Sequence, residues 1–398
     1  MDITISPKKL CGSIQAIPSK SQAHRLLICA AFSDKVTTLT CPQTNADIEA
    51  TANCLNALGA SILRTDAGYE VTPVGMLPES AVLNCGESGS TLRFMLPIVC
   101  ALGVNTTFHM EGRLPYRPLS PLWEELERMG CRLTRPTETT IKTAGKLRCG
   151  EFCIEGNVSS QFITGLLFAA ALMDGSSTIA IIGELESKPY VEMTQLALKH
   201  FGVNTDGYSV IGSYPFHSPG DVTVEGDWSN GAFFLAAKAL DNPVSVLGLN
   251  QDSPQGDRSV SDILNLAEST PHFSAADIPD LVPILAVVFG AKNGAVITDI
   301  SRLRLKESDR VASVCNMLDA LGAKTVATEN TLTITPGSYG SCTIDAVNDH
   351  RIAMAAAIAV TVATGPVTIL GAECVAKSYP TFWEEYQKLG GSYEQYLR

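Results

Sequence analysis

One pattern recurs six times along this chain and restricts the folds that the chain can adopt. Each copy begins with a short polar or glycine-rich segment, and a strongly apolar helical segment follows directly. Successive openings are about 70 residues apart, with one step nearer 50, and they comprise residues 18–21, 86–90, 159–161, 227–230, 277–280 and 348–351. Helices that are apolar on nearly all sides must be buried, so the pattern predicts six central helices.

A second type of segment alternates with the first. An amphipathic helix ends at a glycine, and a short hairpin of alternating apolar residues follows. Gly202 and Gly322 occupy the position of a left-handed helix C-cap, and Asp206-Gly207 is typical of a hairpin turn. Each copy therefore has the predicted order βαβαββ. Six copies predict an α/β (α+β) fold of two pseudo-threefold domains, each with three βαβαββ units and buried central helices.

The six units divide most evenly near residues 18 and 226. We therefore expect a discontinuous domain of residues 1–18 plus 227–398 and a second domain of residues 19–226. Two chain crossovers would join these domains as a double hinge. If the amino-terminal ends of the central helices face one another, they converge on an interdomain cleft, where we expect the active site. Helix macrodipoles and free N–H groups would make that cleft suitable for anions.

The helix openings carry side chains that suit an anionic ligand. Lys20 and Arg351 stand at helix starts, where a cation opposes the helix macrodipole unless an anion is bound nearby. Ser159 adds a hydroxyl group at another opening. A plain capping role is the alternative for Ser159, and also for Ser21 and Asp280, because Ser and Asp are common N-cap residues.

The segment 304–310 has five charged residues among its seven, yet it leads directly into an apolar helix over 311–321. Projecting the apolar stripe of that helix backward at about 100° per residue places Glu307 within the buried stripe. Lys306 and Arg310 would flank it. A carboxylate held between two cations on an inward face predicts a functional site, and a solvated, charged helix cap is the alternative.

Composition excludes several classes of function. The net charge of −12 disfavours nucleic acid and anionic membranes as partners. The chain starts like a strand rather than a signal segment, and its apolar stretches are too short or too rich in Ala to span a bilayer. The 12 cysteines form no Cys-x-x-Cys pair, which predicts buried free thiols, a cytoplasmic location and no metal site. The chain has no Walker A or dinucleotide motif, so we predict no cofactor.

Several of these motifs resemble those of the 5-enolpyruvylshikimate-3-phosphate synthase family, in the same order along the chain. The most specific are residues 18–21, 187–190, 304–310 and 349–351, and residues 117–118, 159–161 and 277–280 support them. The resemblance covers essentially the whole chain. It implies an enolpyruvyl transferase-like fold of two domains, each of three βαβαββ units, that close over the substrates.

The resemblance also implies a reaction in aromatic amino acid biosynthesis. The enolpyruvyl group of phosphoenolpyruvate would pass to the 5-hydroxyl of shikimate 3-phosphate, and a tetrahedral addition–elimination intermediate would then release phosphate. We expect these two small anions as the partners of a monomeric enzyme, without nucleic acid or membrane. Glyphosate, the inhibitor associated with the family, is expected to occupy the phosphoenolpyruvate position beside Gly89.

The same resemblance implies roles for residues of this chain. Those expected to hold shikimate 3-phosphate are Lys20, Ser21, Arg25, Ser159, Ser160, Gln161, Ser187, Tyr190, Asp280 and Lys306. Those expected to hold phosphoenolpyruvate are Lys20, Gly89, Arg117, Gln161, Arg310, His350, Arg351 and Lys377. Asp280 is the expected proton acceptor for the hydroxyl, and Glu307 and Lys20 are the candidate donors to the methylene carbon.

Two positions depart from the family pattern. Glu87 stands where many members have Asn, and Arg302 stands where some have an Asn that helps to bind shikimate 3-phosphate, so the predicted site omits both.

Two other functions compete with this one. One alternative is the sister enzyme that acts on UDP-N-acetylglucosamine, but loop 111–118 lacks the reactive Cys usual in that family. The other is a non-catalytic binder of anionic metabolites, which would explain the cations but not inward-facing Asp280 and Glu307.

Overall fold

A computed structural model describes residues 1–396, and over this range the chain forms two compact units. The discontinuous unit comprises Met1–Ile17 and the chain from Glu225 onward. The continuous unit comprises Pro18–Val224. No helix within residues 1–396 is long and apolar enough to cross a membrane.

The discontinuous unit begins with two strands, β1 (Asp2–Ile5) and β2 (Gly12–Gln15). The strands of the continuous unit are β3 (Thr37–Thr40), β4 (Ser61–Arg64), β5 (Gly68–Thr72), β6 (Ser80–Asn84), β7 (Asn105–His109), β8 (Cys131–Thr137), β9 (Thr140–Gly145), β10 (Glu151–Glu155), β11 (Ser176–Ile182), β12 (Thr205–Asp206), β13 (Ser209–Ile211) and β14 (Asp221–Thr223). Its helices are α1 (Lys20–Ala31), α2 (Ala46–Ala57), α3 (Gly89–Leu102), α4 (Leu122–Arg128), α5 (Ser160–Leu172) and α6 (Lys188–His200).

The chain then completes the discontinuous unit. Its further strands are β15 (Val244–Leu247), β16 (His272–Ser274), β17 (Ala295–Thr298), β18 (Lys324–Ala327), β19 (Thr331–Thr335), β20 (Cys342–Asp345), β21 (Val367–Leu370) and β22 (Tyr393–Tyr396). Its helices are α7 (Trp228–Ala239), α8 (Val260–Leu264), α9 (Val282–Ala291), α10 (Arg310–Leu321), α11 (His350–Ala359) and α12 (Phe382–Lys388).

The three sheets of the continuous unit share one arrangement, in which an antiparallel hairpin extends a parallel pair of strands. Their strand orders are β14-β3-β5-β4, β6-β7-β9-β8 and β10-β11-β13-β12. In the second sheet, β6 runs parallel to β7 with Leu83 beside Phe108, and β9 runs antiparallel to β7 with Ile141 beside Phe108. Helix α3 connects the parallel strands and α4 leads into the hairpin, which gives the predicted order βαβαββ.

Two sheets of the discontinuous unit repeat this arrangement, in the orders β20-β21-β1-β22 and β16-β17-β19-β18. The third sheet differs from the prediction, because it contains only β15 and β2 among the described residues. The segment 250–259, which follows β15, is polar and lacks the alternating apolar residues that a hairpin would bury. It leads instead into a 3-10 helix, Gly256–Ser259, and then into α8.

Six helices are buried over most of their length, and they are those that follow the predicted openings: α1, α3, α5, α7, α9 and α11. Helices α7, α9 and α11 contact one another in the discontinuous unit. Helix α5 packs closely on α3 because Gly165 has no side chain, and a Cβ there would overlap the carbonyl oxygen of Arg93. The predicted fold class, with buried central helices, is confirmed.

Candidate active site

Arg310 is the centre of a charged cluster in the discontinuous unit. Its side chain is completely buried at the first residue of α10, and it donates to three carboxylates. Nη1 lies 2.7 Å from Asp280 Oδ1, Nη2 lies 2.6 Å from Glu307 Oε2, and Nε lies 3.1 Å from Asp349 Oδ2. These charge-assisted hydrogen bonds fix the plane of the guanidinium group.

The local fold around Glu307 differs from the prediction. Residues Ser301–Leu305 form a 3-10 helix, and α10 begins only at Arg310, because Asp309 caps it by accepting from the backbone N–H of Ala312. Glu307 therefore lies in a turn rather than on the helical stripe, and its side chain remains 29% exposed. It is Arg310, expected to flank the stripe, that points into the core.

Asp280 lies just before α9 and makes no capping hydrogen bond, so the alternative of a simple helix cap is wrong for this residue. Arg351 donates from Nη2 to Oδ2 of Asp280 at 2.9 Å, while Arg310 holds the other oxygen. Burial alone would raise the pKa of Asp280, but Arg351, Lys306 and Arg310 together hold it well below the usual range. The carboxylate is therefore ionised and held by two arginines.

Two carboxylates that the predicted site omitted also belong to this cluster. Asp349 is completely buried; it caps α11 by accepting from the backbone N–H of Arg351 and also accepts from Ser308 Oγ at 3.0 Å. Asp257 is buried too, and burial together with the charge of Asp280 raises its pKa to about 7. The capping position before His350-Arg351 could have indicated Asp349, whereas no sequence signal marked Asp257.

Three further predicted residues lie in this unit. Burial lowers the pKa of Lys306 to about 8, although the nearby carboxylate of Asp280 opposes the shift. His350 is buried at the first residue of α11. Lys377 ends a 3-10 helix and donates from Nζ to the carbonyl oxygen of Asn348 at 3.2 Å. Lys306 thus belongs with the Asp280 carboxylate, while Lys377 contacts the turn just before α11.

In the continuous unit, Lys20 is the first residue of α1, and Ser19 caps this helix. The alternative with Ser21 as the cap is therefore wrong. Lys20 Nζ lies 2.9 Å from Asp47 Oδ2 near the start of α2, and both side chains remain slightly exposed. Asp47 is a second carboxylate that the predicted site omitted, and its partner on α1 could not be read from sequence spacing.

Arg25 is buried one turn further along α1, where it connects α1 with α6. It donates from Nε to Thr194 Oγ1 at 2.9 Å, from Nη2 to the carbonyl oxygen of Tyr190 at 2.8 Å and from Nη1 to that of Ser21 at 2.6 Å. Burial lowers its pKa to about 10, so the guanidinium group stays protonated at neutral pH. The contact with Tyr190 brings the predicted residues on α1 and α6 together.

Gln161 is held in one orientation near the start of α5. Arg93 donates from Nη1 to Oε1 of Gln161 at 2.7 Å, and Gln161 Nε2 donates to Ser90 Oγ at 2.9 Å. A guanidinium group can only donate, so it fixes which end of the amide faces it. The neighbouring glycine has little room, since a Cβ at Gly89 would lie 2.7 Å from Nη1 of Arg117.

The serines at the predicted site occupy helix starts. Ser159 caps α5 by accepting from the backbone N–H of Gln161, and Ser160 is the first, buried residue of that helix. Ser187 precedes α6 with a left-handed backbone at φ 56°, which is uncommon for a residue other than glycine. Hydroxyls at helix starts are well placed to donate to an anion.

The omitted positions Glu87 and Arg302 also have defined surroundings. A Cβ at Gly112 would lie 2.6 Å from Oε2 of Glu87, so loop 111–118 closely approaches this carboxylate. Arg302 is buried in the 3-10 helix before Lys306, and its charge contributes to lowering the pKa of Lys306. Within residues 1–396, no group of three or more His, Cys, Asp or Glu side chains could hold a metal ion.

Comparisons with known proteins agree on one family. A sequence model described as "EPSP synthase (3-phosphoshikimate 1-carboxyvinyltransferase)" matches residues 5–270 and 267–386. A 3-phosphoshikimate 1-carboxyvinyltransferase of Clostridium beijerinckii is 37% identical over 99% of both chains. The Clostridium kluyveri protein of the same name is 38% identical over 99% of this chain and 98% of its own.

Solved structures share the fold. An EPSP synthase from Acinetobacter baumannii superposes with a TM-score of 0.81 at 23% identity, over 99% of this chain and 100% of its own. The enolpyruvyl transferase NikO from Streptomyces tendae gives a TM-score of 0.76 at 16% identity, over 99% and 98% of the two chains. At these identities the structures support the fold alone.

Proposed function

Since the chain belongs to the EPSP synthase family, we propose that the residues described above bind shikimate 3-phosphate and phosphoenolpyruvate and carry out 3-phosphoshikimate 1-carboxyvinyl transfer. The activity is that for which its relatives are named, a step of the shikimate pathway in aromatic amino acid biosynthesis. The enolpyruvyl group passes to the 5-hydroxyl of shikimate 3-phosphate, and phosphate leaves.

One observation carries the catalytic part of the proposal. The buried guanidinium of Arg310 contacts Asp280 and Glu307, whose side chains are 24% and 29% exposed. A protein that only binds anions would lose affinity through two partly exposed carboxylates, because they repel the ligand. Carboxylates beside fixed cations are instead what a reaction with two proton transfers requires.

The shikimate 3-phosphate residues fall into two kinds of contact. Ser159, Ser160 and Ser187 offer hydroxyl and backbone donors at helix starts, which suit a phosphate group. The other proposed residues supply positive charge or hydrogen bonds. The cations are Lys20, Arg25 and Lys306, and the hydrogen-bonding groups are Ser21, Gln161, Tyr190 and Asp280. Arg25 shapes this region through its contact with the Tyr190 carbonyl oxygen.

Most of the residues proposed to hold phosphoenolpyruvate are positively charged hydrogen-bond donors. Those proposed are Lys20, Gly89, Arg117, Gln161, Arg310, His350, Arg351 and Lys377. Gln161 has its Nε2 directed to Ser90 beside Gly89, so one amide orientation is set before any ligand binds. Gly89 allows the backbone to approach the ligand closely.

The chemistry follows from an exchange of partners. With Arg310 and Arg351 in contact, Asp280 is too weak a base to take a proton from the 5-hydroxyl. Phosphoenolpyruvate would draw the two arginines toward its own negative charges, and Asp280 would become more basic as it loses them. It would then accept the hydroxyl proton while that oxygen bonds to C2 of phosphoenolpyruvate.

The other half of the step delivers a proton to the methylene carbon, and Glu307 and Lys20 remain the two candidate donors. The addition produces a tetrahedral adduct with a new methyl group. Loss of one methyl proton and cleavage of the bond between C2 and the phosphate oxygen then restore the vinyl group. Phosphate leaves with the former bridging oxygen, so atoms and protons balance over the cycle.

Partners and location follow from the same residues. The net charge of −12 opposes binding to nucleic acid and anionic membranes, so we propose only the two small-molecule substrates for a monomeric enzyme. All 12 cysteines are free, which favours the reducing cytoplasm as its location. The acceptor UDP-N-acetylglucosamine is not favoured, since the relatives are named for shikimate chemistry.

The experiment that tests the proposal follows one oxygen atom. Phosphoenolpyruvate labelled with ¹⁸O in the bridge between carbon and phosphorus is incubated with the purified protein and shikimate 3-phosphate. Carboxyvinyl transfer breaks the carbon–oxygen bond, so mass spectrometry should find the label in the released phosphate. Label retained in pyruvate would show phosphoryl transfer or hydrolysis instead and would contradict the proposal.

A further inference from the structure

Helices α1 and α2 are joined by two side-chain contacts that lie one helical turn apart on each helix. Lys20 Nζ lies 2.9 Å from Asp47 Oδ2, and His24 Nδ1 lies 2.7 Å from Thr51 Oγ1. Lys20 and His24 are one helical turn apart on α1, as Asp47 and Thr51 are on α2. The outer contact is partly exposed, whereas both residues of the inner contact are completely buried.

The inner contact continues to the start of α3. Thr51 Oγ1 lies 2.7 Å from Thr91 Oγ1, and Thr91 donates to Ser88 Oγ at 2.8 Å. Ser88 caps α3 and directly precedes Gly89. A continuous path of buried hydrogen bonds therefore connects His24 with the loop that carries Gly89.

The imidazole of His24 is neutral. Burial lowers its pKa to about 3, because the loss of hydration outweighs the opposing charge of Asp47. Its Nε2 is buried without a hydrogen-bond partner in the described part of the chain. An unpaired buried N–H is rarer than an unpaired acceptor, so we assign the proton to Nδ1, which donates to Thr51.

We propose that His24 is a positioning residue, which fixes Lys20 on α1 relative to Gly89 at the start of α3 through Thr51 and Thr91. This inference rests on the proposed function, since it takes Lys20 and Gly89 as contacts of phosphoenolpyruvate. A leucine would fill a similar volume without leaving a buried nitrogen unpaired. The directional hydrogen bond of Nδ1 is therefore the contribution that a leucine could not replace.

The first test compares two variants of His24. In His24→Asn the side-chain amide can donate from the position of Nδ1, and in His24→Leu no donor remains. We expect His24→Leu to lower kcat/KM for phosphoenolpyruvate at least about tenfold, since a misplacement of about 1 Å costs up to 10²-fold. We expect less than threefold for shikimate 3-phosphate, because Lys20, a contact of both substrates, stays paired with Asp47, whereas the start of α3 carries the phosphoenolpyruvate contact Gly89. His24→Asn should remain within about threefold of the wild type for both.

A second pair of variants separates positioning from stability. Thr51→Val leaves the His24 N–H buried and unpaired, so its Tm should fall, whereas the double variant His24→Leu/Thr51→Val should recover Tm. The double variant should still show the low kcat/KM for phosphoenolpyruvate. Thr106→Val is the matched control, since this buried threonine of β7 donates from its hydroxyl to the carbonyl oxygen of Val104, just before the strand. It should change Tm without changing the ratio of the two kcat/KM values.

Hydrogen exchange gives a readout that does not depend on turnover. Amides of residues 88–91 should exchange faster in His24→Leu than in the wild type, and at the wild-type rate in His24→Asn. Unchanged exchange in His24→Leu, or equal losses of kcat/KM for both substrates, would overturn the positioning role. If exchange differs between the variants as expected but the wild type does not turn over the substrates, the proposed function would be contradicted instead.

Discussion

Arg310 and Asp280 neutralise each other across 2.7 Å, from the first turn of α10 to the second residue before the apolar helix α9. The guanidinium is completely buried, whereas the carboxylate retains 24% exposure. Buried Asp349 anchors the guanidinium on one side, and Asp280 is a partner that a ligand can reach and replace. This relationship underlies the partner exchange proposed for catalysis.

Removal of the Asp280 carboxylate should stop proton acceptance. We predict that Asp280→Ala lowers kcat roughly 10²–10⁴-fold, the usual range for a positioned acid or base. Steady-state kinetics at saturating substrates provides the measurement, with Asp280→Asn as the variant that keeps the side-chain volume. A loss below tenfold would remove Asp280 from the mechanism.

Removal of Arg310 should destabilise the discontinuous unit, because Asp349 would remain buried without its cation. We predict that Arg310→Met lowers the free energy of unfolding by about 3–5 kcal/mol at pH 7. Urea denaturation of a Trp123→Phe background, in which Trp228 and Trp383 of this unit give the fluorescence, would measure it. The control is Lys388→Met, whose 65% exposed side chain pairs with Glu385 and should contribute little, because water and salt screen surface ion pairs. Equal effects would contradict a structural role for Arg310.

The pH dependence should report Lys306. Only the protonated amine attracts the phosphate of shikimate 3-phosphate, and its protonated fraction falls as pH rises through the pKa of about 8. We predict that kcat/KM for shikimate 3-phosphate falls about tenfold per pH unit above that value, since this constant reports the free enzyme. In Lys306→Arg the decline should move beyond pH 10, because arginine stays protonated there. A decline at the same pH in both proteins would assign it to another group.

Periodicity predicted the helices well because the same residues that repeat at helical spacing are those that the core buries. The stripe of α10 is an example, since Val311, Val314, Leu318 and Leu321 are each at most 1% exposed. The projection failed at Glu307 because the Asp309 cap stops the helix, and a period carries no information beyond a helix end.

The partners of the cations could not be predicted in the same way. Lys20 pairs with Asp47 across 27 residues, and Arg310 pairs with Asp349 across 39 residues. The first pair joins two helices of one βαβαββ unit, and the second joins neighbouring units. A single sequence does not encode either kind of packing as a local pattern. The resemblance identified the cations together with Asp280 and Glu307, and the structure added Asp47 and Asp349 as further partners.

Inhibition by glyphosate should depend on the space at Gly89. The inhibitor is expected to compete with phosphoenolpyruvate and is the longer molecule, while a methyl group at residue 89 would displace Arg117 Nη1. Overpacking costs about 1–3 kcal/mol. We therefore predict that Gly89→Ala raises Ki for glyphosate about tenfold or more beyond any rise in KM for phosphoenolpyruvate. Both constants would be measured at one pH and salt concentration, and equal shifts would show that Gly89 does not line the position where the ligands differ.

The identity of the acceptor decides whether this protein carries out carboxyvinyl transfer to shikimate 3-phosphate. Phosphate release from phosphoenolpyruvate is measured with the purified protein alone, with shikimate 3-phosphate and with UDP-N-acetylglucosamine, and the products are identified by mass spectrometry. We predict release only with shikimate 3-phosphate, in equal amount to an adduct that has gained the carboxyvinyl group. Release that requires UDP-N-acetylglucosamine, or no release with either acceptor, would contradict it.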